Sequence, residues 1–351
     1  MTAASDIRVR RWLLVSAGAV LVAVVIGGIT RLTESGLSIT EWRPVSGILP
    51  PSSDQEWNDA YQRYLAIPEA QTIHRGITLS GFQALFWWEW IHRLLARFVG
   101  LILAVPYFGF LVRGQLRPGH RLRLLVLPLL AAAQGALGWY MVKSGLEVRQ
   151  DVSPYRLTAH LGLALVIFAV CVWTALDLGP SRSAAGGPVR LRRWLVTALG
   201  LTIVTLLSGG FVAGLDAGLV YNTFPLMGGQ VVPPGYFLSG AGWLNPFENP
   251  AAAQFHHRVL ALGTAALLVL IGGLGRRPGV PDRLRAATGA AGLAALCQVG
   301  LGIATLLLKV PIPLAVLHQA MGLVVLAAVL VAAHTAEPRP SPSLPVTGTA
   351  P

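Results

Sequence analysis

The sequence predicts an all-α membrane protein in which eight transmembrane helices form two tandem four-helix bundles, related by a pseudo-twofold axis along the membrane normal. Three observations lead there. Hydrophobic residues fill 54% of the 351 positions, 12% are charged and the mean hydropathy is +0.62, so the bilayer is the solvent of this chain. Eight apolar runs are each long enough to span it. The two halves of the chain also repeat one another.

The runs fall at about 12–30, 86–112, 124–142, 156–176, 194–213, 254–274, 286–308 and 313–333, with ends uncertain by about two to four residues. The net charge of +12 follows the same layout. Arg8, Arg10 and Arg11 precede run 1. Arg113, Arg117, Arg121 and Arg123 follow run 2. Arg182, Arg190, Arg192 and Arg193 follow run 4, Arg276, Arg277, Arg283 and Arg285 follow run 6, and Arg339 lies in the tail. Set against Asp6, Asp177, Asp282 and Glu337, these arginines account for the whole excess, all on one side. By the positive-inside rule that side is cytoplasmic, both termini with it. No basic surface is left over for nucleic acid. The first run is too long for a signal peptide and ends without a small-residue cleavage site, which predicts an uncleaved first span of a bacterial inner-membrane protein. Cys171 and Cys297 lie inside predicted helices and read as small packing residues.

The repeat divides the chain into a first half, 1–176, a cytoplasmic linker, 177–193, a second half, 194–333, and a disordered cytoplasmic tail, 334–351. Gly27-Gly28 and Glu34-Ser35-Gly36-Leu37 match Gly209-Gly210 and Asp216-Ala217-Gly218-Leu219 at an offset of 182. Glu89-Trp-Ile-His92-Arg93 matches Gln254-Phe-His-His257-Arg258 at 165, Gln134 and Gly138 match Gln298 and Gly302 at 164, and His160 matches His318 at 158. Four spans per half is an even number, so both copies enter the membrane from the same side. The connections after runs 1 and 5 are long and lie outside. In the first of them, Ser53-Asp54 starts an amphipathic stretch ending before Pro68, with Trp57, Tyr61 and Tyr64 on one side, which predicts a surface helix.

His92, His160, His257 and His318 lie near the outer ends of even-numbered helices, which all start outside and so place these residues at one depth. A histidine inside a membrane helix is costly and needs a reason. Two facing imidazoles inside a helix bundle suit a haem iron, and two matched pairs predict two such sites. Zinc or copper would require clustered Cys, Asp or His at close spacing, which is missing. Arg93 and Arg258 follow their histidines and Arg97 lies one turn on; guanidinium groups suit haem propionates. His74 and His256 break the symmetry and read as ordinary loop or interface residues. Glu89 shares a helix face with His92, and its counterpart is the neutral Gln254. A carboxylate beside one site only predicts proton-coupled chemistry at the first site and simple cofactor holding at the second. Trp87, Trp88 and Trp90 read as an interfacial belt.

These segments resemble the haem A synthase family in its alphaproteobacterial and mitochondrial form. The resemblance rests on Gly27-Gly-Ile-Thr-Arg-Leu-Thr-Glu-Ser-Gly-Leu-Ser38, Glu41-Trp-Arg-Pro-Val-Ser-Gly-Ile-Leu-Pro-Pro51, Phe86-Trp-Trp-Glu-Trp-Ile-His-Arg93, Ser153-Pro-Tyr-Arg-Leu-Thr-Ala-His160, Ala213-Gly-Leu-Asp-Ala-Gly-Leu-Val-Tyr-Asn-Thr-Phe-Pro-Leu-Met227 and Gln254-Phe-His-His-Arg258. It implies an enzyme that oxidises the ring methyl of haem O to the formyl group of haem A for terminal oxidases. Glu89, His92 and His160 would then fall on the substrate-haem site, and His257 and His318 on a bound haem b cofactor. The implied partners are a haem O synthase as donor, oxidase assembly factors as acceptors of haem A, an electron-transfer partner of unidentified kind and the membrane lipid, with room for a homo-oligomer. The haem sites would face the periplasm. The chain departs from other bacterial branches in having no cysteine pair in the first outer loop, so thiol-based electron handling there is excluded. Ala96 also stands where the family has glycine, and Gln83 where lysine is common. Two rivals remain at this stage. A di-haem b electron-transfer cytochrome shares the histidines but has no need of Glu89 or long outer loops. A transporter would need ionisable residues deep in its spans.

Overall fold

A computed structural model describes residues 3–42, 46–148, 152–179 and 186–338. Its eight long helices are span 1 (Ala3–Leu32), span 2 (Leu79–Val112), span 3 (Pro118–Val148), span 4 (Pro154–Asp177), span 5 (Val189–Gly214), span 6 (Pro250–Leu274), span 7 (Asp282–Leu307) and span 8 (Ile312–Ala336). All eight are long and apolar enough to cross a membrane. No β-strand occurs among the described residues.

Within each half the spans pack in a ring. Span 1 touches spans 2 and 4, and span 3 touches spans 2 and 4; span 5 touches spans 6 and 8, and span 7 touches spans 6 and 8. Spans 2 and 4 are therefore diagonal in one bundle, and spans 6 and 8 in the other. The halves meet through span 1 on span 8, span 4 on span 5, and span 4 on span 8. The first two contacts exchange under the repeat and the third maps onto itself, as an isologous pairing requires. The two chain ends of each bundle are distinct. Asp6–Arg117 and Asp177–Arg123 pairs mark the arginine-rich end. At the opposite end, Arg31 Nη2 of the first half lies 2.8 Å from Asp216 Oδ2 of the second.

The cores fill the arginine-rich half of each bundle. Leu13, Leu103, Leu127 and Phe168 pack in the first and Leu195, Leu268, Ala291 and Val329 in the second, while Leu323, Leu326 and Leu330 of span 8 join the first core from across the interface. The predicted surface helix forms at Asp54–Leu65, with the Ser53 side chain accepting from Glu56 N–H at 3.2 Å. Its Trp57 and Tyr64 lie against Phe86 and Phe82 of span 2, with ring centroids 4.9 and 5.2 Å apart. Cys171 is buried as expected, whereas Cys297 lies exposed on span 7 rather than packed in a core.

Every span overshoots its apolar run at one end or both, because a helix continues into the interface wherever caps and packing satisfy its ends. Span 1 begins nine residues early, at Ala3, and span 2 starts at Leu79, capped by Thr78, instead of at Phe86. The two additional turns carry Phe82 onto the surface helix. His92 is therefore well inside its helix and not shortly after its start. Span 8 likewise continues through Ala336, so the tail begins after that residue rather than at 334, and residues 339–351 lie outside the described segments. The connection between the halves shortens to 178–188, of which 180–185 are also outside them.

Candidate functional site

Each of the four histidines rests against a glycine of the neighbouring span. His92 of span 2 faces Gly27 of span 1, and His160 of span 4 faces Gly138 of span 3. In the second half His257 of span 6 faces Gly209 of span 5, and His318 of span 8 faces Gly302 of span 7. A Cβ built on these glycines would stand 2.8, 3.1, 3.1 and 2.9 Å from the imidazole Cε1, in that order. The glycines thus form cradles that only a missing side chain leaves open. They are the same Gly27–Gly209 and Gly138–Gly302 pairs that mark the repeat. Their role could not be read from sequence, since it is a contact between helices.

The pairing is within halves. His92 lies within electrostatic range of His160, and His257 of His318. Each pair comes from diagonal spans, so the rings look at each other across a bundle. All four rings are half-buried. The Nδ1 atoms of His92, His160 and His318, and the Oε1 atoms of Gln134 and Gln298, are buried without hydrogen-bond partners. The same glutamines donate from Nε2 to the carbonyls of His160 (3.1 Å) and His318 (3.0 Å), fixing the helical turn that carries each ring. Paired imidazoles on diagonal helices, with ring nitrogens left unpaired, fit the donor set that a metal macrocycle requires.

The prediction that follows is graded. Gly27→Ala and Gly302→Ala bring a Cβ inside 3.0 Å of the ring and should displace His92 and His318, which, if these imidazoles hold haem, reduces the haem retained per chain. Gly138→Ala and Gly209→Ala need a shift of only tenths of an ångström and should be milder. Equal behaviour of all four in a haem titration would contradict the cradles.

The halves differ in three ways at this level. Glu89 is buried, and its carboxylate accepts four hydrogen bonds: from Ser38 Oγ–H and Ile39 N–H at 2.7 Å each, and from Arg93 Nε and Nη2 at 2.9 and 2.6 Å. Arg93 also donates to the carbonyls of Ile39 and Glu41. In the second half Arg258 donates to the carbonyls of Tyr221 and Thr223, which are the same loop positions under the 182 offset, and Gln254 Nε2 joins it on Tyr221. Arg93 and Arg258 therefore latch the outer loops onto spans 2 and 6. Arg258 Nε is buried without a partner. Arg97, one turn beyond Arg93, is half-buried and has no basic counterpart, since Leu262 takes its place.

The second difference is at His257, whose Nδ1 lies 2.8 Å from Ser208 Oγ. The position equivalent to Ser208 in the first half is Ile26. Sequence comparison of the halves could have flagged this pair, but nothing in the sequence shows that Ser208 reaches across to span 6.

The third is a buried polar cluster in the first outer loop. Burial, and then Glu69, push the Tyr64 phenol far above its ordinary pKa, so it keeps its proton and donates to Glu69 Oε1 at 3.1 Å. With that proton committed, His74 Nδ1–H is the donor to the phenol oxygen at 2.6 Å. Glu34 Oε2 lies 3.9 Å from His74 Nε2. His74, which reads as an ordinary loop residue in the sequence, thus ties the helix Asp54–Leu65 to the segment after span 1. His256 is simpler: its Nε2 lies 3.1 Å from Tyr236 Oη.

Residues 10–330 match the family model of COX15-CtaA, described as cytochrome oxidase assembly protein. A Heme A synthase of Rhodospirillum centenum is 45% identical over 344 residues, 97% of this chain and 91% of that protein. Heme A synthases of a Bradyrhizobium species and of Sinorhizobium medicae are 45% and 46% identical over 94% and 91% of this chain, and 92% and 87% of their own lengths. With the family model matching residues 10–330 and relatives of this identity covering more than nine-tenths of it, the chain belongs to the COX15-CtaA family of cytochrome oxidase assembly proteins.

Proposed function

We propose that this chain is a haem A synthase, taking haem O as substrate and oxidising a ring methyl to the formyl group of haem A for terminal oxidases. The observation that carries the reading is the doubled set of histidine cradles with a buried acid beside only one of them, in a chain similar throughout to proteins of that name. His92 and His160 hold the substrate haem, and His257 and His318 hold haem b. When bound, haem b supplies a one-electron relay between the substrate site and an external partner.

The residues of the chain divide the work. Ser208 holds the His257 imidazole in one orientation, which suits a resident cofactor. Ile26 leaves His92 without such a tether, which suits a haem that must arrive as substrate and leave as product. Conversion of a methyl to a formyl group exchanges two hydrogens for one oxygen, so protons as well as electrons must leave the carbon. Glu89 is the buried acid, one helical turn from His92, that can hold or pass a proton. Arg97 and the free Nε of Arg258 are the guanidinium donors for propionates, Arg93 being committed to Glu89 and the loop. The arginine-rich end and both termini lie in the cytoplasm of a bacterial inner membrane, which puts the haem sites toward the periplasm. There the chain receives haem O from a haem O synthase and passes haem A to oxidase assembly factors.

The test is acid-acetone extraction of the purified protein, co-expressed with a haem O synthase, and chromatography of the extracted haems. Haem A or hydroxylated haem O beside haem b is expected. Haem b alone, at two per chain, would make the protein an electron-transfer cytochrome instead.

A further inference from the structure

The arginine-rich end of the molecule has a cleft of about 560 Å³ between the two halves, bounded by spans 1, 4, 7 and 8. Arg10 and Arg283 line it, and apart from Thr335 the rest of its walls is apolar and small, with Leu176, Ala286, Ala290 and Val331. Arg10 Nε is buried there without a hydrogen-bond partner, near Gly179. Neither arginine forms an ion pair among the described residues. The nearby acids are engaged elsewhere. Asp6 pairs with Arg117, Asp282 with Arg285, and Asp177 with Arg123 and His334.

The internal repeat provides a control for this cleft. Its twin position lies between spans 3, 4, 5 and 8, and there the same geometry is filled with protein. Ala286, Ala287 and Ala290 correspond at the 164 offset to Leu122, Arg123 and Val126. Val331, Thr335 and Leu176 correspond at the 158 offset to Trp173, Asp177 and His334. In the twin, Trp173 packs edge-on against His334 with centroids 5.1 Å apart, and Asp177 accepts from Arg123 at 2.5 Å and pairs with His334 at 2.8 Å. The cleft thus lacks the bulk of the tryptophan and the charge of the aspartate, while keeping Arg10, the counterpart of Arg192, and gaining Arg283 in place of Gly119. A ligand anionic at one end and apolar along its length would match this lining.

We infer that this cleft binds an anionic phospholipid of the surrounding bilayer, its phosphodiester between Arg10 and Arg283 and an acyl chain along the alanine face of span 7. Basic pockets between transmembrane helices at the headgroup level recognise such lipids through charge, while their apolar walls take the chain. A free phosphate would use the two arginines but leave the alanine wall uncovered. The lipid closes on one flank of the inter-half interface what Trp173, Arg123 and Asp177 close on the other.

The test is native mass spectrometry of the full-length protein in detergent, titrated with phosphatidylglycerol or with phosphatidylcholine. One phosphatidylglycerol per chain should bind at least about tenfold more tightly than phosphatidylcholine, a difference expected of a desolvated charge pair. Arg10→Gln with Arg283→Gln should abolish that preference, and Arg10→Lys with Arg283→Lys should keep most of it. Ala290→Phe, which fills the cleft and leaves both charges, should also abolish binding. Arg192→Gln at the twin position should bind as the unaltered protein does. Haem content, read at the opposite end of the molecule, reports that each variant is folded. Undiminished phosphatidylglycerol binding by the Arg-to-Gln pair, or equal binding of both lipids, would overturn the proposal. Displacement of the lipid by millimolar inorganic phosphate would also overturn it, in favour of a soluble anion.

Discussion

Replacing His257 or His318 by alanine is expected to empty the second bundle of haem b and to halt production of haem A, even though neither residue touches the substrate. The two rings come from diagonal helices and are seated on Gly209 and Gly302. Removing one would leave a single imidazole of the pair that would hold the haem. Among the described residues no group of three or more histidines, cysteines or acids could hold a metal in their stead. The loss should exceed the roughly 10–100-fold in affinity that follows from removing a residue that merely orients a ligand. Ser208→Ala offers that comparison within the same site, because it frees the His257 ring without deleting it. Haem per chain, measured as the pyridine haemochrome, should therefore fall in the order unaltered protein, Ser208→Ala, His257→Ala. In His257→Ala, haem O should still bind at His92 and His160 but accumulate unoxidised. A stoichiometric low-spin haem b in His257→Ala would show that the second pair is not the cofactor site.

What could be read from sequence, and what could not, follows from where the information resides. Eight spans and two histidine pairs are visible because hydropathy and the repeat are properties of the chain itself. The early start of span 2 is not, because Phe82 and Phe86 are held in the helix by Trp57 and Tyr64 of the surface helix, a tertiary contact that overrides the apolar boundary. The arginines after the histidines stand out as repeated, yet a guanidinium suits a propionate and a row of loop carbonyls equally well, and only the fold brings the carbonyls of residues 39, 41, 221 and 223 to them. Gly138 and Gly302 are apparent as a repeat but not as a cradle. Ser208 shows in a comparison of the halves only as a difference from Ile26, and its reach to His257 is a contact between helices that the sequence does not carry. Duplication therefore made the common architecture legible and concealed the residues by which the copies have diverged.

The most consequential of those is Glu89, and Glu89→Gln should leave both haems bound while reducing product formation by about 10²–10⁴-fold, the usual range for loss of a positioned proton-transfer group. The structure adds a second route to the same loss. The carboxylate satisfies four donors at once, whereas an amide has one acceptor oxygen and brings two donors of its own, so the hydrogen bonds from Ser38, Ile39 and Arg93 cannot all be kept. Arg93, with 13% of its side chain exposed, would lose its carboxylate partner. Breaking a buried pair in this way costs about 3–5 kcal/mol, enough to loosen the first outer loop from span 2. The two routes separate in practice. Ser38→Ala removes one donor and keeps the acid, so a latch role predicts that amide exchange at residues 38–41 and catalytic rate change together in both variants. A proton-transfer role predicts that Ser38→Ala retains most of its rate, while Glu89→Gln is slow although its loop stays in place. Full activity of Glu89→Gln would remove the acid from the reaction, and among the residues beside the histidine rings the asymmetry between the two halves would then rest on Ser208 and Ile26.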